Sequence, residues 1–157
     1  DLAELLPGVV RLTHKNALLR NIRVSMEVEP DLPQVRGDRV QLQQVLLNLL
    51  LNAFDATESS KSECRAVTVG ARREDAQVIV EVHDQGVGIP AEIYDRLFEP
   101  FQSSKKQGLG MGLSISKTIV ERHGGNLWAE NNSDRGTTFC FTVPVGGLGK
   151  RNNGRLE

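Results

Sequence analysis

One segment, residues 38–56, constrains this chain more than any other. Asp38 followed three residues on by Gln41 makes a capping box that starts a helix. Leu42, Val45, Leu46, Leu49 and Ala53 form one apolar face, and Leu47, Leu50, Leu51 and Phe54 carry it around the cylinder. A helix this apolar must be largely buried, so the rest of the chain has to supply its cover. One stripe stays polar: Gln41, Gln44, Asn48, Asn52 and Asp55 recur every three or four residues. Asparagine is a poor helix former, yet two stand one turn apart, and no Lys or Glu lies between Gln41 and Phe54. Neutral amide oxygens are hard donors suited to a Mg²⁺ whose charge is already met by a polyphosphate. A narrow solvated face is the plainer alternative.

The cover is legible on both sides of that helix. Leu2, Leu5, Leu6, Val9, Val10, Leu12, Ala17 and Leu18 predict a helix over residues 1–20, with a break or restart at Pro7-Gly8. Residues 22–28 alternate as a half-buried strand through Ile22, Val24, Met26 and Val28. A polar loop is expected over 57–63, strands over 67–71 and 78–83, and a glycine-rich turn over 84–90. A short helix over 91–97 and a loop over 99–110 follow. Leu113, Ile115, Ile119 and Val120 mark a helix stopped by Gly124-Gly125. Strands are expected over 127–130 and 138–143, the second with Phe139, Phe141 and Val143 on one face and Thr138, Cys140 and Thr142 on the other. The class is α+β: a two-layer sandwich of a mixed, mostly antiparallel sheet with about three helices on one face.

Composition narrows the partners. The 157 residues suit one domain, and 39% apolar against 25% charged residues allow a sizeable core. Nineteen Lys+Arg against 20 Asp+Glu give a net charge of −1, which argues against nucleic-acid binding by bulk charge. The apolar run 45–51, interrupted by Asn48, is far too short to cross a bilayer, so no membrane contact is expected. Cys64 and Cys140 have no metal spacing and are too few for a disulfide scaffold, and no signal peptide is visible. A reducing, cytoplasmic setting follows, although the parent protein could be membrane-anchored.

Two glycine turns stand out. Asp84-Gln85-Gly86-Val87-Gly88-Ile89-Pro90 follows a strand, and Gly108-Leu109-Gly110-Met111-Gly112-Leu113 runs into a helix. Glycines let backbone approach a ligand, and a helix start offers N–H groups to phosphate. A dinucleotide-binding fingerprint fails here, because Pro90 sits inside the motif, the next helix is short and no ribose-binding acid follows at the right distance. Gly146-Gly147-Leu148-Gly149-Lys150-Arg151 likewise lacks the spacing and the Ser/Thr of a P-loop.

In order, these pieces resemble the catalytic ATP-binding domain of sensor histidine kinases, of the GHKL ATPase superfamily shared with gyrase, a heat-shock chaperone and mismatch-repair ATPases. Gln44-Val45-Leu46-Leu47-Asn48-Leu49-Leu50-Leu51-Asn52-Ala53 resembles the N box and Asp84-x-Gly86-x-Gly88-Ile89-Pro90 the G1 box. Phe98-Glu99-Pro100-Phe101 resembles the F box and Gly108-x-Gly110-x-Gly112-Leu113 the G2 box, and Gly136-Thr137-Thr138-Phe139 also fits. The resemblance implies ATP held between the N-box helix and a flexible lid over 102–108. By it Asp84 accepts the adenine amino hydrogen, where guanine offers a carbonyl instead, and Gly86, Gly88 and Ile89 make room for the base. Asn52 matches the Mg²⁺ ligand, and Asn48 lies near the phosphates. Asp55 stands where some relatives carry a lysine and is counted among the nucleotide-facing positions as the polar end of the stripe. Lys105 reaches the terminal phosphate as a point charge. Gly108, Leu109, Gly110, Met111, Gly112, Leu113, Thr137 and Thr138 complete the expected ATP contacts.

The resemblance also bears on the reaction. Hydrolysing relatives place a Glu where this chain has Asn48, and an amide cannot act as a base near neutral pH. Asn48 and Lys105 are therefore expected to serve phosphoryl transfer to a histidine on a separate dimerisation domain, with a response regulator receiver domain as the further partner. The required His-Glu/Asp-x-x-x-x-Pro setting is absent, and His14, His83 and His123 read as structural. Residues 1–145 are expected to form this domain, 1–20 being the end of a linker helix and the domain start, with the acceptor histidine before Asp1. Residues 146–157 read as a flexible tail, its last two residues a cloning remnant. Two other readings stay open: a nucleotide-binding module without transfer, and a protein-serine kinase or anti-sigma factor of the same fold.

Overall fold

In the computed structural model, described for residues 1–61, 63–100 and 112–146, a five-stranded sheet carries three helices on one face. The expected lid over 102–108, together with Phe101, Lys105, Gly108, Leu109, Gly110 and Met111, lies outside the described residues, as do residues 147–157. The elements run α1 (Leu2–Leu19), β1 (Arg23–Val28), α2 (Arg39–Ser59), β2 (Ala66–Glu74), β3 (Gln77–Asp84), α3 (Ala91–Tyr94), α4 (Gly112–Arg122), β4 (Leu127–Asn131) and β5 (Thr137–Pro144). The sheet order is β1-β2-β3-β5-β4. Among the described strands only β1 and β2 pair in parallel, joined through α2, and the other pairings are antiparallel. This is the α+β class expected from the sequence. No helix among the described residues is long and apolar enough to cross a membrane.

Alternation along the strands puts Val67, Val69 and Ala71 of β2, Val78, Val80 and Val82 of β3, and Phe139, Phe141 and Val143 of β5 under the helices. Against them α2 sets Leu42, Val45, Leu46, Leu49, Leu50, Ala53 and Phe54, all buried. The opposite face of β5 is largely closed to solvent as well. Cys140, facing Trp128 and Glu81, is 5% exposed, and Thr142, facing Ile79, is 1% exposed. The strand lies inside the sheet, so neighbours on both sides cover it. Burial also pushes the Cys140 thiol up to about 12, which leaves it inert as a nucleophile.

Three boundaries differ from expectation, each for a local reason. Helix α1 runs unbroken through Pro7, because proline forfeits a single intrahelical bond there while Leu5, Leu6 and Val9 pack on both sides of it. Helix α2 continues past Ala56 to Ser59: Thr57 donates its hydroxyl to the Ala53 carbonyl at 2.7 Å, so a polar residue enters the core satisfied. Helix α3 stops at Tyr94 rather than Leu97, having no buried residue and no side-chain cap. The start of α2 is capped as expected, Asp38 Oδ1 accepting from Gln41 N at 3.0 Å. The other half of the box goes elsewhere, since the Asp38 N–H donates to His123 Nε2 at 2.9 Å.

Helix α4 ends in paired 6→1 and 5→2 bonds: Gly125 N donates to Val120 O and Gly124 N to Glu121 O, both at 3.0 Å, with Gly124 at φ +81°. The next glycine is held by space. A Cβ on Gly125 would lie 1.7 Å from the Thr142 carbonyl oxygen, which is backbone and cannot step aside. Gly125→Ala is therefore expected to destabilise the fold by about 1–3 kcal/mol or more, the range for forced overpacking, as a lowered melting temperature in thermal unfolding. An unchanged midpoint would mean that β5 can move away from this turn.

Candidate functional site

The site is built where β3 ends against the second half of α2. Asp84 closes β3 on the helix-covered face and is 1% exposed. Its Oδ1 accepts from the backbone N–H of Gly86 at 2.9 Å and of Thr137 at 3.1 Å. The carboxylate thus ties the glycine turn to the start of β5. Burial raises its pKa, while those two N–H groups and the nearby His83 oppose the rise.

Two glycines make this closeness possible. A Cβ on Gly86 would meet the Ala56 backbone at 2.5 Å, so the turn lies directly on α2, one turn past Asn52. Gly136, at φ +81°, would bring a Cβ to 2.2 Å from the Asp84 carbonyl oxygen. Gly88, at φ +79°, stands beside Asn131, whose amide pairs with Ile89 as a strand would: Oδ1 accepts from Ile89 N at 2.8 Å and Nδ2 donates to Ile89 O at 3.1 Å. Thr137 Oγ1 also reaches Asn131 Oδ1, at 3.3 Å.

The α2 stripe divides between two neighbours. Asn48 Nδ2 donates to Gly112 O at 3.3 Å and to Ser116 Oγ at 3.2 Å. Both amide hydrogens are spent on α4, which leaves Oδ1 as the group's acceptor. Gly112 opens α4 within van der Waals distance of Asn48, and Leu113 packs against the core. Asp55 pairs with Arg20 Nη1 at 2.5 Å, and the same nitrogen lies 3.1 Å from Glu58 Oε2. Asn48, Asn52 and Asp55 lie along one α2 stripe, with Gly112 against Asn48 and Leu113 following it in α4, while Asp84, Gly86, Gly88, Ile89 and Thr137 are linked at the end of β3, where Gly86 rests on Ala56 of α2.

Thr138 is not gathered with them. It points to the other sheet face, donating to Asn132 Oδ1 at 2.7 Å and accepting from His83 Nδ1 at 2.9 Å. Sequence reasoning missed Asn131 and Asn132, whose Nδ2 donates to the Asp84 carbonyl at 3.1 Å. An Asn pair directly after a strand is the signal that could have found them, but it reads first as a turn. Arg20 and Ser116 carry no such signal. Among the described residues no three or more His, Cys, Asp or Glu side chains come together as a metal-binding group.

A buried carboxylate at a strand end, bare glycine backbone over a helix and an asparagine stripe along that helix define a nucleotide-site architecture of the ATPase type. Residues 37–147 match the family of histidine kinase-, DNA gyrase B- and HSP90-like ATPases, and the chain belongs to that family. It is 39% identical over 145 residues to the sensor protein FixL of Bradyrhizobium diazoefficiens, covering 92% of this chain and 28% of FixL. The catalytic domain of histidine kinase ThkA superposes with a TM-score of 0.82 at 34% identity, over 92% of this chain and 93% of that one. ThkA has also been solved in complex with the response regulator protein TrrA, where 92% of this chain covers 40% of the kinase at a TM-score of 0.78 and 32% identity. Full-length ShkA in complex with AMPPNP gives a TM-score of 0.79 at 30% identity, over 92% of this chain and 30% of ShkA. The chain therefore spans between 28% and 40% of these longer sensor proteins.

The electrostatics of Asp84 have a measurable sign. A raised carboxylate pKa means that the folded protein holds the proton more tightly than the unfolded chain, so ionising Asp84 costs stability as pH rises through its folded value. Asp84→Asn keeps the acceptor for Gly86 and Thr137 and removes the charge. The melting temperature of the variant minus that of the wild type, both without nucleotide, is expected to increase from about pH 4 to pH 8. A difference that falls over that range would mean that the carboxylate is stabilised by its surroundings.

Proposed function

We propose that this chain binds Mg-ATP and supplies its γ-phosphate to a histidine on a separate dimerisation domain, from which a response regulator takes it up. The observation that carries the reading is Asp84: a carboxylate 1% exposed, anchored through one oxygen to two backbone N–H groups beside Gly86. The second oxygen is the acceptor for the adenine amino group, and a guanine carbonyl in that place would meet like charge. Gly86, Gly88 and Ile89 border the base, and Thr137 holds the carboxylate in register.

The residues present fit a magnesium–triphosphate complex. Asn52 would hold the metal through its amide oxygen, with Asn48 beside the phosphates and Gly112 opening α4 toward them. The bound Mg²⁺ would supply charge neutralisation at the phosphates. On sequence grounds Lys105 serves the γ-phosphate, and Gly108, Leu109, Gly110 and Met111 border it. Asn48 sets the reaction class. An amide with both hydrogens committed to Gly112 O and Ser116 Oγ neither takes a proton from water nor turns toward one. A glutamate there would set a carboxylate against the Gly112 carbonyl. Transfer to a stronger nucleophile is what this geometry suits.

Calorimetry should show ADP and ATP binding well above GDP, and Asp84→Asn should lower ADP affinity by about tenfold or more, the weight of a charged hydrogen bond. Unchanged affinity in a folded variant would remove Asp84 from the base site. Asn52→Ala should weaken Mg²⁺-dependent ATP binding more than Mg²⁺-free ADP binding, and equal losses would count against Asn52 as the metal ligand. With radiolabelled ATP, the longer protein carrying the acceptor histidine should acquire acid-labile phosphate. The 157-residue chain alone should neither label itself nor hydrolyse ATP quickly. Fast hydrolysis would contradict the role given to Asn48.

A further inference from the structure

The polar stripe of α2 ends in a carboxylate, Asp55, with Glu58 one turn further along the helix, and the structure binds both to a residue outside the stripe. Asp55 follows Asn52 by one turn and precedes Ala56, the residue on which the glycine turn rests. A bare charge there would stand on the face that meets the nucleotide and would repel phosphate. Arg20, the cap residue of α1, crosses to it: its Nη1 lies 2.5 Å from Asp55 Oδ1 and 3.1 Å from Glu58 Oε2. The side chains of Arg20 and Asp55 are only 24% and 33% exposed, so water screens the pair incompletely. Arg65 brings a second guanidinium to the same corner, its Nη1 donating to the Arg20 carbonyl at 2.8 Å. One guanidinium, that of Arg20, thus bridges two α2 carboxylates where α1 ends, with Arg65 bonded to its backbone.

We propose that Arg20 is a positioning residue for nucleotide binding: by pairing with Asp55, and with Glu58 one turn further on, it offsets the carboxylate charge at the end of the α2 stripe and keeps that face able to accept a polyphosphate. The inference rests on the nucleotide reading above. It separates a structural contact between α1 and α2 from an electrostatic one, because only the latter distinguishes a nucleoside from its phosphates.

The test compares adenosine, ADP and Mg-ATP binding by calorimetry in the wild-type chain, Arg20→Ala, Asp55→Asn and the double variant. Arg20→Ala should weaken ADP and Mg-ATP by about three- to tenfold at low salt, leave adenosine within about twofold, and lose its effect as salt rises. In the Arg20→Ala background, Asp55→Asn should restore most of the lost ADP affinity. Arg20→Lys should retain most of the wild-type preference for phosphates. If Arg20→Ala does not fold, Arg20→Met keeps the aliphatic stem and serves in its place. Equal losses for adenosine and ADP, or failure of Asp55→Asn to restore binding, would overturn the proposal. A wild-type chain that binds neither adenosine nor ADP would overturn the nucleotide reading itself, so the two failures are distinguishable.

Discussion

The burial of α2 is the constraint on which the rest of this structure depends. Its apolar residues reach so far around the cylinder that α1, α4 and the sheet are all needed to cover them. The asparagine stripe is left half-covered, Asn48 lying against α4. A helix buried this way cannot shift or rotate without exposing leucine, so the stripe is held as firmly as the core itself. The site inherits its rigidity from hydrophobic packing and its chemistry from the few residues left out of that packing.

The same helix acts as the reference for the loops. Gly86 rests on the Ala56 backbone, and Asp84, through a single oxygen, holds that turn together with the first residue of β5. One buried carboxylate thus aligns two segments about fifty residues apart in sequence. The arrangement costs desolvation of a charge, which the raised pKa registers. A site that must recognise a flat polar base gains from that cost, because an acceptor already stripped of water loses little more on binding.

Much of this was legible in the sequence because its causes are local. The leucine periodicity of α2, the strand alternation and the glycine pair that stops α4 each follow from a residue's own neighbours. So did the four boxes in order. The features that escaped are those decided by distant partners. Thr57 reads as a loop residue until its hydroxyl finds the Ala53 carbonyl inside a buried helix. Asn131 reads as a turn residue until its amide pairs with Ile89, forty-two positions away. The burial of Cys140 and Thr142 also escaped, because the order of strands, unlike their alternation, is not written in any one strand. Asn48 was placed near the phosphates, yet its contact with Gly112 and Ser116 depends on how α4 lies across α2, which no spacing encodes.

Helix α4 is fastened to α2 at both ends. At its start Asn48 grips Gly112 and Ser116, and at its end His123 accepts the Asp38 N–H while its other ring nitrogen donates to Ile119 O at 2.7 Å. A beam pinned at two points does not tilt by degrees. To move, it must release one fastening or the other, each a discrete set of hydrogen bonds. Gly112 and the cap of α2 are therefore joined through a single helix held at each end by its own set of hydrogen bonds.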